Sequence, residues 1–144
     1  MTAPHGWPGA TRAGTAFYTT TVTVDGGSLA HGRASGRARS ADGTLRLDLR
    51  LPAELGGDGA GTNPEQLFAA GYAASFHATL SVLARETGAD PAALTVAVTV
   101  AVGRDPAGAG SLLRTEVAVT WPGTDDVQRL VERAKTLCPY AKLG

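Results

Sequence analysis

One cysteine, Cys138, stands in 144 residues, so the chain closes no internal disulfide and carries no disulfide scaffold. A reducing cytoplasm is therefore the expected setting. Neither sign of charge dominates. Thirteen basic and thirteen acidic side chains cancel, and there is no basic stripe. Nucleic acid is not an expected partner on that ground. The opening residues, MTAPHGWPGATRAG, lack an apolar core, so no secretory leader is expected. A long uninterrupted hydrophobic run is missing too. The nearest approach, Gln66 to Ala84, is broken by Ser75, His77, Thr79 and Ser81 and reads as a core helix rather than a membrane span. There are no internal repeats, and the 19 glycines gather at turns rather than forming a low-complexity tract. What remains has the length of one domain with a modest core.

Residues 1–15 are rich in Gly, Pro, Ala and Thr without a period and are expected to form a loose arm, leaving 16–144 as a single domain. AFYTTTVTV (16–24) is β-branched and aromatic and predicts a strand. DGGSLAHG (25–32) is loop-like, RASGRARS (33–40) a weaker strand, and ADG (41–43) a turn. TLRLDLRL (44–51) alternates strictly and predicts a half-buried strand, followed by a glycine loop at 54–61. A helix then opens. Thr62 or Asn63 suits its cap, Pro64 its first turn, and Glu65 or Gln66 a capping box. From Leu67 to Leu83 this helix is apolar nearly all round, which predicts burial on every face. LTVAVTVAV (94–102) and LLRTEVAVTW (112–121) predict a hairpin around a turn at 104–111. TDDVQRLVERAKTLC (124–138) predicts an amphipathic helix, apolar at 127, 130, 131, 134, 137 and 138, capped by Thr124 or Asp125 and stopped by Pro139. The fold class is α+β. A helix so apolar needs more cover than one small sheet, and a second copy of the chain is the simplest remedy.

Three segments carry candidate chemistry. GGDGAGTNPEQLFAAGYAASF resembles the signature of the OsmC/Ohr family, and specifically its organic hydroperoxide resistance branch, in which a cysteine stands where this chain has Ser75. LCPY (137–140) is similar to the family's second cysteine segment, and HGRASGRARSADG (31–43) resembles its arginine-bearing loop. The family arginine falls on Arg33. Arg37 is the weaker alternative, because the chain has one extra residue between Arg33 and Gly36. The resemblance spans about Phe17 to Tyr140. It implies an OsmC-like fold, with antiparallel sheets wrapped around a buried central helix in an intertwined homodimer. It also implies one more strand after LCPY than these residues provide.

The activity implied is thiol-dependent reduction of organic and fatty-acid hydroperoxides. A peroxidatic cysteine at position 75 becomes a sulfenic acid, a resolving cysteine at Cys138 closes a disulfide, and a lipoylated protein or small dithiol reopens it. Arg33 and Glu65 hold the thiolate and the peroxide, Tyr72 and Phe76 line the pocket, and no metal or organic cofactor is implied. The physical chemistry agrees with those roles. A guanidinium beside a thiol favours the thiolate, and a carboxylate holds the guanidinium fork in place. Glu65 and Ser75 are ten positions apart, roughly 15 Å on a straight helix at about 1.5 Å per residue. Either the helix bends or a dimer shares the site, and the family pattern favours sharing.

Ser75 departs from that pattern. A serine hydroxyl neither ionises near neutral pH nor climbs to a sulfenic acid and back. Cys138, at a helix C-terminus whose dipole disfavours a thiolate, is a poor substitute nucleophile. The chain as written is expected to be inactive as a peroxidase. A Cys-to-Ser replacement and a natural loss are both open as origins. A non-redox relative, binding or transforming a small apolar acid in the Arg33/Glu65 pocket, is the alternative function.

Plainer roles stand beside each of these. Ser75 suits a small core position bonding back to the Gly71 carbonyl. Glu65 suits a capping residue, Arg33 a solvated loop charge, Cys138 a buried hydrophobe, and Tyr72 and Phe76 ordinary packing. A Ser–His–Glu hydrolase through His31 or His77 ranks lower. His77 is two positions from Ser75 and points away on a helix, and the sequence AASFH lacks the nucleophile elbow.

Overall fold

The computed structural model describes residues 16–28 and 35–143. The expected arm at 1–15, His31 and Arg33 lie outside the described residues. Two compact units divide the chain, one up to Gly61 and one from Thr62 onward.

The first unit is an antiparallel meander of β1 (Val22–Asp25), β2 (Gly36–Ser40) and β3 (Arg46–Leu49). The strand expected over 16–24 is shorter than its composition suggested. Its partner supplies the reason: β1 pairs with β2 from Val22 opposite Ser40 to Asp25 opposite Arg37, and beyond Ser40 the chain turns away. One backbone bond, Ala41 N–H to the Thr21 carbonyl at 3.0 Å, is the last link before that turn. The alternation read in 44–51 holds in β3, where Arg46 and Asp48 face solvent while Leu47 is half-buried and Leu49 buried. Arg37 is solvent-exposed and faces the cross-strand Asp48 at 3.6 Å, while Arg39 meets Asp25 at 3.0 Å. Exposed pairs of this kind contribute at most about 1 kcal/mol each.

Asp42 organises the β2–β3 turn. Its Oδ1 accepts from the Ser40 hydroxyl at 2.6 Å, the Thr44 hydroxyl at 2.8 Å and the Thr44 N–H at 3.1 Å. The Ser40 hydroxyl in turn accepts from the Leu45 N–H at 2.9 Å. These donors favour the ionised carboxylate.

The second unit is built on α1 (Pro64–Thr87). Asn63 is the cap. Its side-chain oxygen accepts from the Gln66 N–H at 2.9 Å, and Pro64 fills the first helical position. The reciprocal half of a capping box is not made. The Gln66 side chain instead accepts from the Thr62 hydroxyl at 2.7 Å. Gly88 ends the helix in the left-handed region at φ 75°, returning its N–H to the Ala84 carbonyl. The hairpin follows as β4 (Thr95–Arg104) and β5 (Ser111–Thr120), in register from Thr95 opposite Thr120 to Arg104 opposite Ser111. Val96 and Val98 of β4, paired with Val119 and Val117 of β5, form its less exposed side. Helix α2 (Val127–Leu137) begins three residues later than expected. Asp126, at φ 57°, precedes it without a side-chain cap, so neither Thr124 nor Asp125 takes that role. Leu130, Val131 and Ala134 of α2 are buried, whereas Leu137 points outward.

Phe76, Leu80, Leu83 and Ala84 of α1 pack with Trp121, the α2 residues and Cys138 into the core of this unit. Trp121 satisfies its indole N–H on the Asp90 carbonyl at 2.9 Å. Within one chain, α1 is buried on one side only. Ala70, Ala74, Ala78 and Val82, spaced by four along one stripe, are exposed in the single chain. The two-stranded hairpin and α2 cover only part of the helix circumference. Among the described residues α1 alone is long and apolar enough to cross a membrane. Its buried face, however, is taken up by this core.

The turn yields a prediction. Hydrogen bonds from Ser40 and Thr44 lower the Asp42 pKa from 3.8 to about 2. A lowered carboxylate pKa means its contribution to the turn is complete above pH 3.8 and is lost as pH falls through about 2. Carboxyl-carbon NMR should therefore place the Asp42 midpoint at about 2. A midpoint at the ordinary value would mean the turn is open in solution.

Candidate active site

Helical spacing sets the first half of the site. Gly71, Ser75 and Thr79 lie on one stripe of α1, and Phe68, Tyr72 and Phe76 on the next. The second half arrives from the end of α2. Cys138 caps that helix, with its N–H on the Ala134 carbonyl at 2.8 Å and backbone that has already turned extended. Pro139 cannot continue the helix, so the chain folds across α1 instead.

Ser75 Oγ faces Cys138 Sγ at 3.4 Å. The Ser75 hydroxyl thus turns to the sulfur rather than to the Gly71 carbonyl. The back-bonding pattern expected there belongs to its neighbours. Thr79 donates to the Ser75 carbonyl at 3.0 Å, and Ser81 donates to the His77 carbonyl at 2.9 Å. Cys138 is fully buried and Ser75 is half-buried. His77 turns toward Ser81, with Nδ1 at 3.4 Å from its hydroxyl, and takes no part in the pair.

Aromatic rings flank the pair. Tyr140 packs on Phe68 at a centroid distance of 6.1 Å and on Tyr72 at 5.8 Å. Phe68 meets Tyr72 edge-on at 6.2 Å, and Tyr72 meets Phe76 at 6.4 Å. Phe76 itself is fully buried, so its ring belongs to the core, while Tyr72 and Tyr140 keep some exposure. Phe68 and Tyr140 escaped the sequence reading as site residues. The four-residue spacing of Phe68, Tyr72 and Phe76 was a signal for the first. Only the fold brings Tyr140 to that stripe.

Glu65 sits in the first turn of α1 and makes no hydrogen bond or ion pair among the described residues. The helix runs without a break from Glu65 to Ser75, so the two do not meet within one chain. Among the described residues, open polar clefts of about 430 and 250 Å³ lie along the three-stranded sheet, with linings that do not include Ser75. Among the described residues no cluster of His, Cys, Asp and Glu is arranged to hold a metal ion.

The profile of the OsmC-like protein family matches residues 56–143, which includes α1, the hairpin, α2 and both members of the Ser75/Cys138 pair. The chain belongs to the OsmC/Ohr family. The organic hydroperoxide resistance protein of Xanthomonas axonopodis pv. citri (strain 306) is 41% identical over 129 residues, covering 87% of this chain and 85% of that protein. The crystal structure of an organic hydroperoxide resistance protein OsmC from Legionella pneumophila superposes with a TM-score of 0.77 at 34% identity, covering 90% of each chain. OhrB of Bacillus subtilis, an organic hydroperoxide resistance protein, superposes with a TM-score of 0.73 at 35% identity, covering 89% of this chain and 91% of that one. The α+β class and the OsmC-like fold expected from the sequence are thus borne out.

The geometry makes a chemical prediction. A disulfide needs its sulfurs about 2.05 Å apart, so a thiol introduced at position 75 has about 1.4 Å to close from the 3.4 Å seen now. Treated with diamide, the Ser75→Cys protein should lose both titratable thiols while remaining uncrosslinked between chains on a non-reducing gel. Two thiols that persist in folded protein would mean the segments do not approach.

Proposed function

We propose that this chain is an Ohr-type thiol peroxidase scaffold for organic hydroperoxides in which serine occupies the peroxidatic position. The observation that carries the proposal is the 3.4 Å approach of Ser75 Oγ to Cys138 Sγ. Two such atoms, 63 positions apart in sequence, meet where a peroxidatic and a resolving thiol would have to meet. The names of the relatives, organic hydroperoxide resistance proteins, supply the substrate class.

With a thiol at position 75 the reaction has three steps. The thiolate attacks the terminal peroxide oxygen, the O–O bond breaks, and the alkoxide leaves as an alcohol after taking a proton. The resulting sulfenic acid loses water when the Cys138 thiol displaces its oxygen and the disulfide forms. A lipoyl or other dithiol then reduces that disulfide by exchange and is itself oxidised. Glu65, at the positive end of α1, is placed by this reading to fix the family arginine. The part of Arg33 rests on the family pattern. Tyr72 offers an apolar wall for the organic group, with Phe76 behind it.

As written, the chain binds hydroperoxides without turning them over, because serine cannot accept the oxygen. The non-redox alternative draws on the same serine: a pocket freed from thiol chemistry would hold an apolar acid. The cytoplasm is the proposed setting, since the chemistry needs reduced thiols. Homodimerisation completes the reading. The exposed stripe of Ala70, Ala74, Ala78 and Val82 lets a second α1 approach closely, and a dimer would bring Glu65 of one copy toward the reactive pair of the other.

Cumene hydroperoxide consumption with dihydrolipoamide should be at background for the native chain and orders of magnitude faster for Ser75→Cys. A folded Ser75→Cys protein that consumes none would overturn the peroxidase reading. Mass spectrometry of a retained apolar acid would then favour the non-redox one. Sedimentation equilibrium should show a dimer that Val82→Asp converts to monomer. A native chain that stays monomeric at tens of micromolar would sink the shared-site reading.

A further inference from the structure

A glycine lies one helical turn before Ser75 and beneath a tyrosine ring. A β-carbon added at Gly71 would stand 2.6 Å from Tyr140 Oη, 3.1 Å from Cζ and 3.4 Å from Cε2. No ordinary contact is that short, so the Tyr140 phenol lies directly on the bare helix backbone. The backbone itself does not call for glycine at this position, because Gly71 is not among the positive-φ residues. Alanine is also the better helix former. The demand for glycine therefore comes from the ring and not from the helix.

Phe68 and Tyr72 pack against the ring at centroid distances of 6.1 and 5.8 Å, so moving it aside means giving up those contacts. Its backbone is fixed as well. The Lys142 N–H bonds the Cys138 carbonyl and the Leu143 N–H bonds the Tyr140 carbonyl, each at 3.2 Å. Tyr140 and Cys138 thus belong to one hydrogen-bonded turn. Gly71 and Ser75 are their counterparts on α1, four positions apart on one stripe. Two contacts run side by side: Gly71 with Tyr140, and Ser75 with Cys138.

We propose that Gly71 is a positioning residue for the reactive pair: its missing side chain seats Tyr140 on α1 and thereby draws the Cys138 sulfur up to position 75. As a role in the reaction it rests on the peroxidase reading above. The juxtaposition it controls is open to measurement independently of turnover.

The test is a double-mutant cycle in the Ser75→Cys background. Gly71→Ala, Tyr140→Ala and the pair are equilibrated against glutathione, and the effective concentration of the 75–138 disulfide is read for each. Gly71→Ala should lower it about tenfold or more, since a misplacement near 1 Å can cost about a hundredfold in oriented reactions. On top of Tyr140→Ala the same change should cost almost nothing, because the clash partner is gone. In the otherwise native chain, Gly71→Ala should speed alkylation of the buried Cys138 thiol, and far-UV circular dichroism should show the helix retained. Equal losses in both backgrounds, or a change within twofold with Tyr140 present, would overturn the inference. If Gly71→Ala alone does not fold, Tyr140→Ala must rescue folding; failure in both backgrounds also overturns it. A Ser75→Cys protein that forms the disulfide and obeys the cycle yet consumes no hydroperoxide keeps the positioning role and removes the function. One that consumes hydroperoxide regardless of Gly71 does the reverse.

Discussion

Burial of one face of α1 is the constraint from which the second unit follows. Phe76, Leu80, Leu83 and Ala84 present a continuous apolar surface, and hydrophobic burial rewards whatever covers it. The hairpin supplies valines from alternate positions and α2 supplies Leu130, Val131 and Ala134. Once α2 lies along α1, its end falls beside the stripe that carries Gly71 and Ser75. Core packing therefore brings Cys138 to the side of α1 that carries Ser75. That placement needs no salt bridge to hold it. The ion pair linking the two helices, Arg133 to Glu86 at 3.0 Å, is on the surface and adds little.

Serine fits the packing of this site. Its side chain differs from cysteine by one atom, so the packing around position 75 tolerates it, and its hydroxyl still finds the sulfur at 3.4 Å. Redox reactivity depends on that atom's polarizability and acidity, which packing does not supply. Fold and activity are thus separable at this one position. The family match over residues 56–143 is compatible with either.

Much of the architecture was legible in local pattern. Pro64 after Asn63 marked the start of α1, and the alternating valines of 94–102 marked β4, because caps and strand periodicity are local physics. The strand over 16–24 shrank to Val22–Asp25 because strand length depends on a partner, which the segment's own composition does not reveal. α2 began at Val127 because the left-handed Asp126 displaced the expected caps. At the site, the motifs located Ser75 and Cys138 separately, and the fold brought them together. Glu65 stayed three turns away on the same helix. The seating of Tyr140 on Gly71 was invisible beforehand, since it links residues 69 positions apart and is expressed as a side chain that is missing.

The span between Ser75 and Cys138 also has a topological meaning. A covalent link there would close a ring holding all of α1 downstream of position 75, the whole hairpin and all of α2. Tying a loop of 63 positions restricts the unfolded chain by about 4 kcal/mol on the loop-closure relation. An oxidised thiol-bearing form would then be the one that resists unfolding and proteolysis, and the reduced form the looser one. Loading with oxidant would be felt as a tightening of the polypeptide. With serine at position 75 that ring stays open, and the chain is held in a single mechanical state.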